Sequence, residues 1–321
     1  MTARSLLDRT GTALGLVAVA IVFGVLVGPQ FFEPANLDLM ARQTAIVCMA
    51  ALGMTVVIVA GGIDLSVGST IALSTVVIAL LLRAGVPPAA AGLGAVVAAA
   101  FCGLLNGVLI TRLRVVPFIV TLGTMLVVRG AAKGLAHERR IEAPFTWLND
   151  LLRAPDSAAK LPTGIWLVLG LALVVAGMLR YTRFGRHVFA VGSNARMARL
   201  CGVPIGRTNV AVYTIAGAFA GLAGLLQFSR LSVGDPTVAV GLELDVIAAV
   251  IIGGGSLAGG RGTIAGSLIG AAIMTIISIG CSQKGLANWV QQIVTGAIIV
   301  VAVALDRVRT HGAARLSETG A

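Results

Sequence analysis

The chain has 321 residues, of which 57% are hydrophobic and only 12% charged, and it carries a net charge of +11. Soluble domains average about 45–50% apolar and 25% charged residues, so a water-soluble globule of this make-up would expose large apolar patches and aggregate. Nor does the positive charge point to nucleic acid, because the basic residues are not interleaved with aromatics on a soluble module.

Crossing a hydrocarbon core of about 30 Å takes about 20 apolar residues in a helix. After Arg4 and Arg9 comes an apolar run over 11–28, read as an uncleaved first helix rather than a signal peptide. Further windows follow over 40–60, 66–82, 88–110, 117–134, 164–180, 209–229, 244–258, 263–282 and 287–305. The expected fold is an all-α polytopic membrane protein of about ten transmembrane helices, eight or nine if some windows merge at glycines. The 41 glycines suit that class, since small residues let membrane helices approach closely. Residues 1–321 read as a single transmembrane domain.

Charge between the windows sets the expected orientation. Arg4 and Arg9, Arg112 and Arg114, then Arg180, Arg183, Arg186, Arg196, Arg199 and Arg207 fall on one side, joined by Arg261, Arg307, Arg309 and Arg315. Glu33, Asp38, Glu138, Glu142, Asp150, Asp156, Asp235 and Glu243 fall on the other. Lys and Arg mark the cytoplasmic side, which predicts both termini inside. The segment 135–163, with Pro144, Pro155 and Pro162, is then an outer loop with room for a short surface helix. The basic segment 181–208 is a cytoplasmic loop.

The most informative polar segment is Gly61-Gly62-Ile63-Asp64-Leu65-Ser66-Val67-Gly68-Ser69. A carboxylate at membrane depth is costly, and a glycine break there needs protein or water around its backbone. One reading is a cytoplasmic-side turn in which Asp64 and Ser66 cap the next helix. The other is a broken helix lining a pathway, and both can hold together. Asn106 is interhelical glue if buried, and Pro117 suits a helix start. Thr121 and Thr124 either bond their own helix or face a polar solute.

Within 181–208, Ala195, Met197, Ala198, Leu200 and Cys201 alternate with Arg196 and Arg199, predicting a short amphipathic helix capped by Asn194 and closed near Gly202. Such a helix lies on anionic lipid or docks a cytoplasmic partner; docking is preferred because 28 residues exceed what orientation requires. Gly255 to Arg261 looks like a phosphate loop but lacks its Lys and Ser/Thr. Gly262, Gly266 and Gly270, at four-residue spacing, predict a tightly packed helix face. Val57-Ile58, Gly61-Gly62 and Thr70-Ile71-Ala72 recur at one offset as Val250-Ile251, Gly254-Gly255 and Thr263-Ile264-Ala265. The two segments run the same way in this topology, which does not suit an inverted repeat, and glycine-rich apolar sequence also yields such matches by chance.

Cys48, Cys102, Cys201 and Cys281 lie far apart and read as packing residues. His137, His187 and His311 have no metal spacing, and the chain carries no nucleophile or metalloprotease motif. Neither catalysis nor a metal is expected.

Together these residues resemble the permease subunits of ribose-, xylose- and arabinose-type ABC importers. The resemblance rests on Gly-Gly-Ile-Asp-Leu-Ser-Val-Gly at 61–68 and on Pro117-Phe-Ile-Val-Thr-Leu-Gly123. Gly185-Arg186 with Ala190, Gly192 and Asn194 adds to it, as do Asp245-x-Ile-Ala-Ala-Val, Gly253-Gly254 and Gly259-Gly260-x-Gly262. It covers about residues 36 to 306. Ser193 stands where the family usually has Gly, and Cys201 where it usually has Ser.

The resemblance implies a type II ABC importer-like fold in the bacterial inner membrane. It implies a second permease copy or paralogue, and a cytoplasmic ATPase that holds the ATP and Mg, with no cofactor on this chain. It also implies a periplasmic solute-binding protein that delivers a monosaccharide or related small polar solute. The 181–208 loop would couple to the ATPase through Gly185, Arg186, Gly192, Asn194, Arg196, Arg199 and Gly202. Asp64, Ser66, Asn106, Thr121 and Thr124 are the candidate pathway or gate residues, and Gly253, Gly254, Gly259, Gly260, Gly262, Gly266 and Gly270 the candidate packing positions. The rivals are a proton- or sodium-coupled secondary transporter, for which only Asp64 offers a titratable group, and a membrane-embedded enzyme.

Overall fold

A computed structural model describes residues 3–153, 161–287, 289–301 and 303–304. The helices are α1 (Ala3–Val27), α2 (Pro34–Val59), α3 (Val67–Arg83), α4 (Pro88–Leu113), α5 (Pro117–Leu135), α6 (Thr163–Tyr181), α7 (Arg183–Ser193), α8 (Ala195–Leu200), α9 (Ile205–Leu231), α10 (Leu242–Ile252) and α11 (Ile264–Gln283). A last apolar helix, α12, covers Trp289–Val301. Among the described residues the only strands are β1 (Ile141–Glu142) and β2 (Val233–Gly234), paired antiparallel with Ile141 opposite Gly234.

The all-α expectation holds, and each of the ten apolar windows falls on a helix. By length and composition α2, α4, α5, α6, α9 and α11 can cross a membrane, while Gly11–Val27, α3 and α12 are shorter apolar helices. The window over 244–258 is different. Its helix, α10, has 11 residues, about 16 Å at 1.5 Å per residue, roughly half a hydrocarbon core. It stops because Gly254 takes φ +91°, a turn that glycine makes without a Cβ penalty. Apolar content alone did not reveal the stop.

Prolines start several helices: α2, α4 and α5 each carry Pro in the first turn, where a missing N–H costs nothing. α2 runs through the middle. From Ala45 to Val59 every residue is buried, against α9, α11, α10 and α6. A helix apolar on all sides belongs in that position.

α4 and α9 pack antiparallel along most of their length. α4 turns Gly92, Ala95, Ala99, Gly103 and Gly107 inward, and its Leu93, Val97, Phe101, Leu104 and Leu105 outward. Close approach of the backbones is the reason for small residues here: a Cβ on Gly103 would run into the Tyr213 carbonyl, and one on Gly107 would lie 2.7 Å from Val210 Cα. The α10–α11 contact has the same origin. A Cβ on Gly266 would strike the Gly253 carbonyl, and one on Gly270 the Ala249 carbonyl, so the packed helix face exists at those positions. Gly262 lies before α11 begins and packs on Val59 instead, while Gly254 has open space and serves the turn.

The segment 135–163 is more than a surface loop. Its 3-10 turn, Trp147–Asp150, is closed by a capping box between Thr146 and Asn149, and it buries Leu148 and Leu152 completely. Residues 154–160 of the expected outer loop lie outside the described residues.

Gly103→Ala is expected to destabilise the fold by about 1–3 kcal/mol, as overpacking does. Gly123→Ala on α5, where a Cβ meets nothing within 4 Å, is expected to leave the thermal midpoint in detergent unchanged or slightly raised.

Candidate solute pathway and coupling site

α2 ends on a buried residue, Val59, followed by a half-buried Ala60 and an exposed Gly61, so its last carbonyls are paired by the turn that follows and by the protein beyond it. Gly61, at φ +81°, turns the chain, with Gly61 N–H donating to the Ile58 carbonyl and Gly62 N–H to the Val57 carbonyl, both at 2.9 Å. Gly254 and Gly255 repeat this hydrogen-bond pair at the end of α10, donating to Ile251 and Val250 at 2.9 and 2.8 Å. The recurring sequence is therefore a shared helix stop. The helices that follow start at different offsets: Thr70 lies in the first turn of α3, whereas Thr263 caps α11.

Beyond the turn, four of the five expected pathway residues come together. The Ile63 carbonyl accepts hydrogen bonds from Thr121 Oγ1 at 3.2 Å and Tyr213 Oη at 3.3 Å. Asp64 Oδ1 accepts from Ser66 N–H at 2.9 Å and from Ser66 Oγ at 2.6 Å. Ser66 Oγ in turn accepts from Asn106 Nδ2 at 2.9 Å. Asp64, Ser66, Asn106 and Thr121 are all buried. Asn106 Oδ1 is buried with no hydrogen-bond partner among the described residues, leaving one acceptor in the cluster open. Asp64 and Ser66 do not cap α3 as expected: no side-chain cap bond reaches its N–H groups, and the two residues bond each other. Thr124 stands apart, bonding the Thr121 carbonyl of its own helix at 3.1 Å.

The basic segment 181–208 folds into two short helices before α9 begins. Thr182 Oγ1 accepts from Gly185 N–H and starts α7; Asn194 Oδ1 accepts from Met197 N–H at 3.0 Å and starts α8. Gly202, at φ +79°, closes α8 where the sequence placed its end. α8 buries only Ala198, leaving Arg196, Met197, Arg199 and Leu200 exposed.

Behind it, the end of α7 is locked to the body of the bundle. Gly260 N–H donates to the Val59 carbonyl at 2.9 Å. A Cβ on Gly192 would collide with that same carbonyl, and one on Gly259 would lie 2.6 Å from the Gly192 carbonyl and 2.9 Å from Gly61 Cα. Three segments thus meet backbone to backbone: the end of α2, the end of α7 and the loop after α10. Gly185 has a similar need, since a Cβ there would strike the Leu179 carbonyl. Arg186 lines a separate crevice of about 530 Å³ together with Arg180 and the start of α11.

Comparison with known proteins bears on this arrangement. The family described as branched-chain amino acid transport system / permease component matches residues 36–303. The ribose import permease of Escherichia coli (strain K12) is 38% identical over 304 residues, covering 94% of both chains. The chain belongs to this permease family. The permease is also 35% identical to the L-arabinose ABC transporter permease of Azospirillum brasilense, over 95% of this chain and 89% of that one. The fructose import permease of Rhizobium meliloti is 34% identical, over 91% and 83% of the two chains. No solved structure matches.

At its other end the permease carries charged residues that were not among the site candidates. Asp235 receives Arg140 Nε at 2.9 Å, Thr237 N–H at 2.8 Å and Thr237 Oγ1 at 2.6 Å. Arg129 Nη1 donates to the carbonyls of Pro236 and Val238 at 3.0 and 2.7 Å. These contacts, with the β1–β2 pair, fasten the 135–153 segment and α5 to the strand that leads into α10. Glu243 reaches Gly68 on α3, where any side chain would run into its carboxylate; its Oε2 is buried with no hydrogen-bond partner. The Asp235-Pro236-Thr237 turn was legible as an Asx turn, but its partners Arg129 and Arg140 lie about a hundred residues away.

Ser66→Ala removes the acceptor of buried Asn106 Nδ2 and is expected to cost about 1–3 kcal/mol in thermal unfolding. At Asp235, burial pushes the carboxyl up, but the Thr237 hydrogen bonds and the Arg140 charge outweigh it and hold the group below the usual range. A depressed folded-state value stabilises above the unfolded carboxylate value of about 3.9 and is lost as pH falls through the folded one. Asp235→Asn is therefore expected to lower the thermal midpoint at neutral pH, and the gap to the native protein should close as the solution is acidified below about pH 4.

Proposed function

We propose that this permease is the membrane core of an ATP-binding-cassette importer that carries a monosaccharide or related small polar solute across the bacterial inner membrane by alternating access. Its relatives are named as ribose, arabinose and fructose permeases, which supports a sugar as cargo. The observation that carries the mechanism is the pairing of an unburied α8 with a locked Gly192. α8 offers Arg196, Met197, Arg199 and Leu200 to a partner, and Gly192 sits against Val59 at the end of α2 and Gly260 in the loop after α10.

In this reading both termini and the 181–208 segment face the cytoplasm, and about ten helices enter the membrane, α10 as a half-span. A cytoplasmic ATPase holds ATP and Mg and seats α8, a second copy or a paralogue completes the core, and a periplasmic binding protein delivers the solute. Closure of the ATPase pushes α8, and Gly192 passes the push to the turn at 60–66. Asp64, Ser66, Asn106 and Thr121 are assigned to the gate. They join the α2–α3 turn to α4 and α5, and parting those helices would expose them to solute. Thr124, turned to its own helix, is assigned a packing role.

Replacing 192–202 by a glycine-serine segment of equal length is expected to abolish solute uptake and solute-stimulated ATP hydrolysis while membrane insertion persists. Normal coupling in that variant would sink the docking role of α8. Uptake that survives loss of the ATPase but collapses with an uncoupler would instead select an ion-coupled carrier.

A further inference from the structure

At the end of the bundle that carries α7 and α8, the last turns of α4 and the first turns of α9 share an outward-facing hollow. They leave a crevice of about 620 Å³ with walls that include Val108, Val210 and Ala211. Arg112 and Arg207 stand at its rim. Among the described residues neither guanidinium has an ion pair or a hydrogen bond, and no carboxylate lines the crevice. Thr111, also on the lining, has a hydroxyl oxygen buried from solvent with no hydrogen-bond partner. The apolar wall does not end at the crevice. It continues up α4 as Leu105, Phe101, Val97 and Leu93, one stripe at helical spacing and all exposed.

That stripe distinguishes lipid from protein as its neighbour. Where α4 meets α9 it uses glycine and alanine, the residue types that membrane helices use to approach one another. Where it faces outward it uses Leu, Val and Phe, which hold another helix backbone off and present branched hydrocarbon. Two uncompensated guanidinium groups at the foot of such a stripe complement a phosphodiester whose acyl chains lie along it.

We propose that the Arg112–Arg207 crevice is a binding site for an anionic phospholipid, with the headgroup phosphate between the two guanidiniums, the Thr111 hydroxyl donating to it, and an acyl chain on the α4 stripe. The proposal rests only on the chain lying in a membrane with this end at the headgroup level. It does not depend on which solute is carried or on an ATPase.

The test is made on the purified full-length chain in nanodiscs of equal phosphatidylglycerol and phosphatidylcholine, with retained lipid counted by native mass spectrometry after detergent release. Two surface arginines predict retention of phosphatidylglycerol over phosphatidylcholine by about thirtyfold. Arg112→Gln with Arg207→Gln should bring the ratio close to parity, and Ala211→Phe, which fills the crevice and keeps both charges, should reduce it as well. No preference in the unaltered chain, or a preference that survives the double substitution, overturns the site. Release by excess inorganic phosphate as effective as by added phosphatidylglycerol would make it a simple anion site and overturn the lipid assignment. A bismaleimide cross-link between two copies through Phe101→Cys would make the stripe a protein seam, with the same consequence. None of these outcomes depends on transport, so the proposed function stands or falls separately.

Discussion

Because α2 is buried from Ala45 to Val59, the Val59 carbonyl and the Ile63 carbonyl of the turn beyond it take their partners from the protein. A backbone polar group left unpaired in such a place costs about as much as a lost hydrogen bond or more. The protein meets the need with backbone and hydroxyl donors brought from distant segments. Gly260 N–H closes on Val59, and the Tyr213 and Thr121 hydroxyls close on Ile63. Gly61 and Gly62 turn the chain tightly enough for those donors to arrive. The locations of α5, α7, α9 and the loop after α10 are all tied to this one helix end.

The same constraint gives the glycines different work at neighbouring positions. Gly61 and Gly254 are there for their φ values. Gly192, Gly253, Gly266 and Gly270 are there because another backbone occupies the space a Cβ would take. The second kind couples segments mechanically: a junction in which Gly192 touches both Val59 and Gly260 has no compliant side chain to absorb a displacement. Interiors packed in this manner shift between discrete arrangements more readily than they deform. That property suits the alternating access proposed for this permease.

Charge is spent sparingly and in two distinct ways. Among the described residues, Asp64 is buried without a basic partner and is held by Ser66. Asp235 is held by an arginine and a threonine and ties the outer connection together. Away from these sites the arginines on the α7–α8 side, such as Arg112, Arg196, Arg199 and Arg207, have no acid paired with them among the described residues, which leaves that end of the bundle positively charged.

Much of this was legible in the residues themselves. Ten apolar windows located ten helices, the proline at 117 marked the start of α5, and Asn194 and Gly202 bounded α8, because hydropathy, caps and turns are local properties. The cluster of Asp64, Ser66, Asn106 and Thr121 was partly legible, since buried polar residues in an apolar chain stand out one by one. What sequence could not supply was adjacency. Tyr213 reads as one more apolar-helix residue until it is seen donating to Ile63, 150 positions away. The glycines of 253–262 look like a single packing run, yet they divide into turn formers and contact formers according to what lies opposite. α10 reads as a full span until its glycine stop is seen. The sequence by itself determined a membrane-embedded helical permease with a short, basic, capped helix between Asn194 and Gly202. Only the tertiary structure decided that Val59, Gly192 and Gly260 share one point, because contacts between segments two hundred residues apart are set by the packing of the whole bundle.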